Sequence, residues 1–138
     1  MKAALIVLVC AAFLFSWKLF KQTAHIGVEN ISQIDKASNV EISIDRKLVF
    51  NGIVEDVPKK FRTRLSKGKH YIVVRADNGE LVQTHQFTVK GKTRINVKYK
   101  AEYQIDPVTR KPFADGALSK QIMLSVGDWD YSAMSNKQ

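Results

Sequence analysis

Cys10 is the only cysteine, so no disulfide can form within the chain, and its thiol says nothing about the redox compartment. Prolines are also scarce: there are three, two of them between residues 104 and 116. Few backbone positions are therefore barred from regular structure. The residue constellations that carry chemistry are missing as well. There is no serine elbow, no usable Cys/His pair and no pair of carboxylates at a spacing that would make a cleft. The sequence thus points to no enzyme and to no cofactor.

The N-terminal stretch is the clearest positive feature. In MKAALIVLVCAAFLFSWKLFK, residues 3–17 carry no charge, and Leu19 and Phe20 extend the apolar run around Lys18. That run is longer than most signal-peptide cores and close to the ~20 residues a helix needs to cross a bilayer. Lys18 can reach the interface on its flexible stem, and Trp17 belongs at that depth. A signal-peptidase site is poorly supplied. Gln22 spoils the small-x-small pattern at 22–24, and residues 10–12 lie inside the apolar run. A lipoprotein site at Cys10 is no better, because Val9 stands where a small residue is needed. Residues 1–22 are therefore expected to be a transmembrane anchor or uncleaved signal, with residues 3–20 in the membrane. The rest of the chain would be exported to the periplasm or another extracytoplasmic space. A cleaved signal and a buried soluble helix are the alternatives.

Residues 23–39 are mostly polar and show no sustained apolar face, which suggests a linker or stalk. From Val40 the apolar residues recur with a period of two. Val40, Ile42 and Ile44 alternate with Glu41, Ser43 and Asp45, and further short runs follow at 48–50, 61–65, 71–76, 81–89 and 93–99. No 3.6-residue period is sustained there. The expected fold is all-β, a small antiparallel β-sandwich of about six to seven strands over residues 40–103, preceded by the N-terminal membrane helix. Residues 104–138 form a C-terminal extension in which 121–126 could add a last strand.

The turns allow the register to be worked out. Asn78-Gly79 suits a two-residue hairpin turn, and it pairs residues whose numbers sum to about 157. His70, Ile72, Val74 and Ala76 would then oppose Phe87, His85, Gln83 and Leu81. Gly91-Lys92-Thr93 has the letters that close a phosphate-binding loop, but the Gly required five residues before Gly91 is Gln86, and no helix pattern follows. It reads as a second hairpin turn, pairing Phe87 with Ile95, His85 with Val97 and Gln83 with Tyr99. That register keeps one face apolar.

Charge singles out one region. The chain carries 22 Lys and Arg against 13 Asp and Glu. Twelve of the basic residues lie between Lys59 and Lys100, where the only acids are Asp77 and Glu80. In the first register, the turns holding Lys67, Lys69, Lys90 and Lys92 fall at one end of the sheet, with Arg64 and Arg94 approaching it. Asp77 and Glu80 fall roughly 20 Å away at the other end. This basic pole is a candidate site for anionic lipid or cell-wall polymer. The plainer reading is a solubilising surface whose lysines discourage sheet-to-sheet aggregation. No aromatic interleaving suggests nucleic acid. His70 and His85 share a face but lack a third ligand for a metal. Asp128 and Asp130 alone cannot cage a cation. Trp129 and Tyr131 are either packing residues of a last strand or a tail that docks a partner.

The order of signals also resembles a known family. Ile44-Asp45, Gly52, Pro58, the Leu65, Gly68 and His70 of LSKGKH, the strand at 71–74 and the QFTV at 86–89 resemble the PEGA-like repeat. More broadly they resemble the transthyretin-like, or carboxypeptidase-regulatory-like, sandwiches of bacterial envelope proteins. The resemblance covers about residues 40–99. It implies a non-catalytic interaction or assembly module with a protein or carbohydrate partner, and it carries over no functional residues.

Overall fold

A computed structural model describes residues 20–32, 37–116 and 118–129. The expected membrane helix and Tyr131 lie outside these residues, apart from Phe20 and the two residues that follow it. Eight strands make up the domain: β1 (Lys21–Asn30), β2 (Ser38–Ile44), β3 (Lys47–Val54), β4 (Lys59–Ser66), β5 (Gly68–Ala76), β6 (Leu81–Val89), β7 (Thr93–Tyr103) and β8 (Leu118–Asp128). They form two four-stranded sheets, ordered β4-β1-β7-β8 and β3-β2-β5-β6. The all-β expectation holds.

Alternation along each strand builds the core. Ala24, Ile26 and Val28 of β1 and Ile95, Val97 and Tyr99 of β7 point inward from the first sheet. They meet Val40, Ile42 and Ile44 of β2 and Ile72 and Val74 of β5 from the second. The last strand is also present and is longer than expected, with Ile122, Leu124 and Val126 packed against the core.

Three expectations are corrected. Residues 21–30 are not part of an anchor and stalk: they form a central strand, flanked by β4 and β7. Burying Ile26 and Val28 favours this by roughly 1.5–3 kcal/mol each, and Thr23, His25 and Glu29 occupy the other face of the strand, while Asn30 is buried. Next, β6 and β7 do not form a hairpin. β6 is the edge of one sheet, while β7 pairs with β1 and β8 in the other, so Phe87, His85 and Gln83 do not pair with Ile95, Val97 and Tyr99. Residues 90–92 instead carry the chain between sheets. Alternation specifies which face is buried and leaves the partner strand open. Finally, the sandwich is not wholly antiparallel, because β1 and β7 run parallel, Ala24 opposite Thr93 and Val28 opposite Val97.

The first hairpin has the expected register, from Gly68 opposite Val89 to Ala76 opposite Leu81. Its turn takes positive φ from Asp77 onward, at 50°, 55° for Asn78 and 92° for Gly79. The Asp77 carboxylate is the hub of that end. It accepts hydrogen bonds from Ser38 Oγ at 2.9 Å and Tyr99 Oη at 2.9 Å and an ion pair from Lys120 Nζ at 2.8 Å. One side chain thus ties β2, β7 and β8 together across the two sheets.

Candidate anion-binding surface

The register fixes which residues share an end. The last residue of β4, Ser66, lies opposite Lys21, and the first residue of β7, Thr93, lies opposite Ala24 and Asp128. Only Lys67 separates β4 from β5, and only residues 90–92 separate β6 from β7. Lys67, Lys69, Lys90 and Lys92 therefore gather at the end where β1 begins, together with Lys21, Arg46 of the β2–β3 turn and Lys47 at the start of β3. The far end holds Asp77, Glu80, Glu55 and Glu102. Arg64 and Arg94 stand near the basic end on the solvent face of the first sheet, opposite Thr23 and His25 of β1.

The LSKGKH signal has a structural role. Asp45 and Arg46 turn with positive φ, 51° and 66°, and the Asp45 carboxylate reaches β5. It lies 2.6 Å from His70 Nδ1 and accepts the Tyr71 backbone N–H at 2.9 Å. The other ring nitrogen, Nε2, is 2.7 Å from the Ser66 carbonyl. His70 is buried with both nitrogens engaged, and His85 is exposed on the neighbouring strand. Among the described residues no group of three or more His, Cys, Asp or Glu could hold a metal ion.

A second basic surface lies on the solvent face of the first sheet. The row across β4, β1 and β7 reads Arg62, His25, Arg94, and the next row reads Lys60, Gly27, Asn96. Gly27 has no side chain, so the second row dips, and a groove of about 300 Å³ opens over it. Trp129, just beyond β8, forms its rim. Its backbone N–H donates to the Lys92 carbonyl at 2.9 Å, and its ring lies 4.4 Å from that of His25. Lys92 Nζ and the Arg94 guanidinium approach the indole at 4.9 and 5.0 Å. The indole of Trp129 thus packs against the His25 ring on the first sheet. Burial, reinforced by Lys92, Arg62 and Arg94, holds the His25 imidazole below its ordinary value.

Comparison with known proteins yields no matching family model, no matching curated protein and no matching solved structure. The functional reading rests on the geometry.

Lys60, Arg62, His25 and Asn96 did not stand out in the sequence as site residues. The alternation of Lys60, Arg62 and Arg64 with Phe61, Thr63 and Leu65 does signal a basic strand face. What lies beside that face became apparent only once β1 was placed. No carboxylate lines the groove between Gly27 and Trp129, Glu29 borders the adjoining hollow on the other side of Gly27, and none of the described acids is ion-paired with Lys60, Arg62 or Arg94. The nearest acid along β1, Glu29, is held by Lys98 at 2.8 Å.

Proposed function

We propose that this is a non-catalytic envelope protein, anchored through residues 3–20 on the extracytoplasmic side of a membrane. Its sandwich rests its basic end on anionic lipid headgroups and offers its far end to a protein partner. The observation that carries this reading is where β1 begins. Lys21 opens the strand directly after Phe20, at the end that gathers Lys67, Lys69, Lys90 and Lys92. A chain leaving a bilayer at Phe20 delivers those lysines to headgroup level, where each contributes about 1 kcal/mol beside an anionic surface. The same geometry favours headgroups over cell-wall polymer as the anion.

The far end supports an assembly role. There the loop between β7 and β8 exposes Ile105, Val108 and Phe113 beside Tyr103, with Val108 88% exposed. The two stacked sheets are the architecture expected from the transthyretin-like and PEGA-like resemblance, which also implies an interaction module.

Amine labelling of the full chain in nanodiscs tests the orientation. In anionic discs at low salt, Lys67, Lys69 and Lys90 should be protected, while Lys111 and Lys120 at the far end label normally. Zwitterionic discs or high salt should remove the protection. Equal labelling at both ends in anionic discs would refute the headgroup reading. Protection that arises only on adding an anionic cell-wall polymer would transfer the pole to that ligand.

A further inference from the structure

We propose that the groove over Gly27 is a binding site for a phosphomonoester carried on a small ring compound such as a sugar. It is separate from the membrane-facing pole. The row of Arg62, His25 and Arg94 lies four residues along β1 from Lys21, roughly 13 Å up the sheet face at the usual strand rise. A bilayer at the basic end does not reach it, so its ligand arrives from solution.

The lining determines the ligand's charge. Lys60 and Arg62 stand on one side and Arg94 on the other, with His25 beside them and no carboxylate among them, while Asn96 donates its Nδ2 to Ser125 Oγ at 3.5 Å and turns its Oδ1 toward Gly27, an acceptor suited to a ring hydroxyl. A monovalent carboxylate would leave most of that charge uncompensated. A phosphomonoester carries about two negative charges near neutral pH. Its three terminal oxygens point in different directions, so both walls can donate to them at once. The two oxygens of a planar carboxylate are filled by a single guanidinium fork.

The shape determines the rest. Gly27 supplies the floor, and a Cβ placed there would point into the groove, meeting only Asn96 Oδ1 at 3.5 Å. About 300 Å³ exceeds the needs of a bare phosphate, which leaves room for an attached ring. The half-buried indole of Trp129 at the rim offers that ring an apolar edge. An anion in the groove also opposes the charges that depress His25, so occupancy should raise the imidazole's titration midpoint.

Calorimetry on the full chain in zwitterionic nanodiscs, with glucose 6-phosphate as probe, tests the site. Binding is expected with a Kd below about 1 mM. Inorganic phosphate should bind at least several-fold more weakly, and glucuronate and glucose more weakly still. Gly27→Val fills the groove without altering charge and suits a strand, so it should abolish binding while thermal unfolding stays unchanged. Arg62→Gln and Arg94→Gln should each weaken binding about tenfold or more. Lys67→Gln with Lys69→Gln and Lys90→Gln should leave it intact, which separates this site from the pole. Full affinity in Gly27→Val, or no saturable binding of glucose 6-phosphate by the unaltered chain, would overturn the proposal. Glucuronate binding as tightly would overturn the choice of phosphate, and equal affinity for inorganic phosphate would remove the ring.

Discussion

His70 Nδ1 and the Asp45 carboxylate lie 2.6 Å apart, which joins the β2–β3 turn to the start of β5. Asp45 also holds the Tyr71 N–H, and His70 also faces the Ser66 carbonyl. Asp45→Ala removes the acceptor from a buried imidazole and from a backbone N–H. It should destabilise the domain by about 2–3 kcal/mol. Asp45→Asn keeps an acceptor and should cost about half as much. Urea unfolding of the detergent-solubilised chain measures both, and equal losses would mean that the negative charge is immaterial.

Stability in acid should depend on Asp77. Burial pushes its carboxyl upward, but the hydrogen bonds from Lys120, Ser38 and Tyr99 and the Lys120 charge together hold it below its ordinary value. Unfolding in acid then takes up a proton at Asp77. Its contribution is complete above about pH 5 and falls away as pH drops through the folded midpoint. Asp77→Asn should be less stable at neutral pH and lose less on acidification. Melting curves between pH 3 and 7 would show whether the two profiles converge.

Trp129→Ala should lower the melting temperature. The indole's contacts with His25, Lys92 and Arg94 are worth about 1–2 kcal/mol together, or on the order of 5–10 °C for a domain of this size. Burial is the main cause of the depressed His25 titration, so the same variant should move His25 upward toward its ordinary value. An NMR pH titration reads that shift directly.

Val108→Glu should not affect stability. The loop around it is held by Asp106, whose carboxylate accepts the Val108 N–H at 2.8 Å and whose carbonyl accepts the Arg110 N–H at 2.8 Å. The Val108 side chain itself projects into solvent. If the far end docks an envelope protein, cross-linked partner recovered from native membranes should fall several-fold in this variant while its melting point is retained. Undiminished recovery would place the partner elsewhere.

The strands from β2 to β6 were legible because β2 and β4 alternate between apolar and polar residues and β3, β5 and β6 carry short apolar runs bounded by turn residues, and the hairpin register followed from Asn78-Gly79. β1 was hidden for a physical reason. Its inward face is only Ala24, Ile26, Val28 and a buried Asn30, and Gly27 interrupts its outward face. The partners of β7 were hidden too, because pairing with β1 joins segments far apart in sequence and no turn specifies it. Placing Lys67, Lys69, Lys90 and Lys92 at one end needed only the hairpin register. The groove draws on β4, β1, β7 and the residue after β8, so it became visible only with the whole sheet assembled.

The position of β1 also determines how the domain meets mechanical load. Any pull on the chain at Phe20 acts along the strand, and the interstrand bonds on both of its flanks run across that direction. Such a force must shear the bonds to β4 and β7 together, whereas an edge strand pulled sideways would peel away one bond at a time. The connection between the apolar segment and the sandwich therefore behaves as a tether fastened at the middle of a sheet, stiff in the direction in which a membrane would tug it.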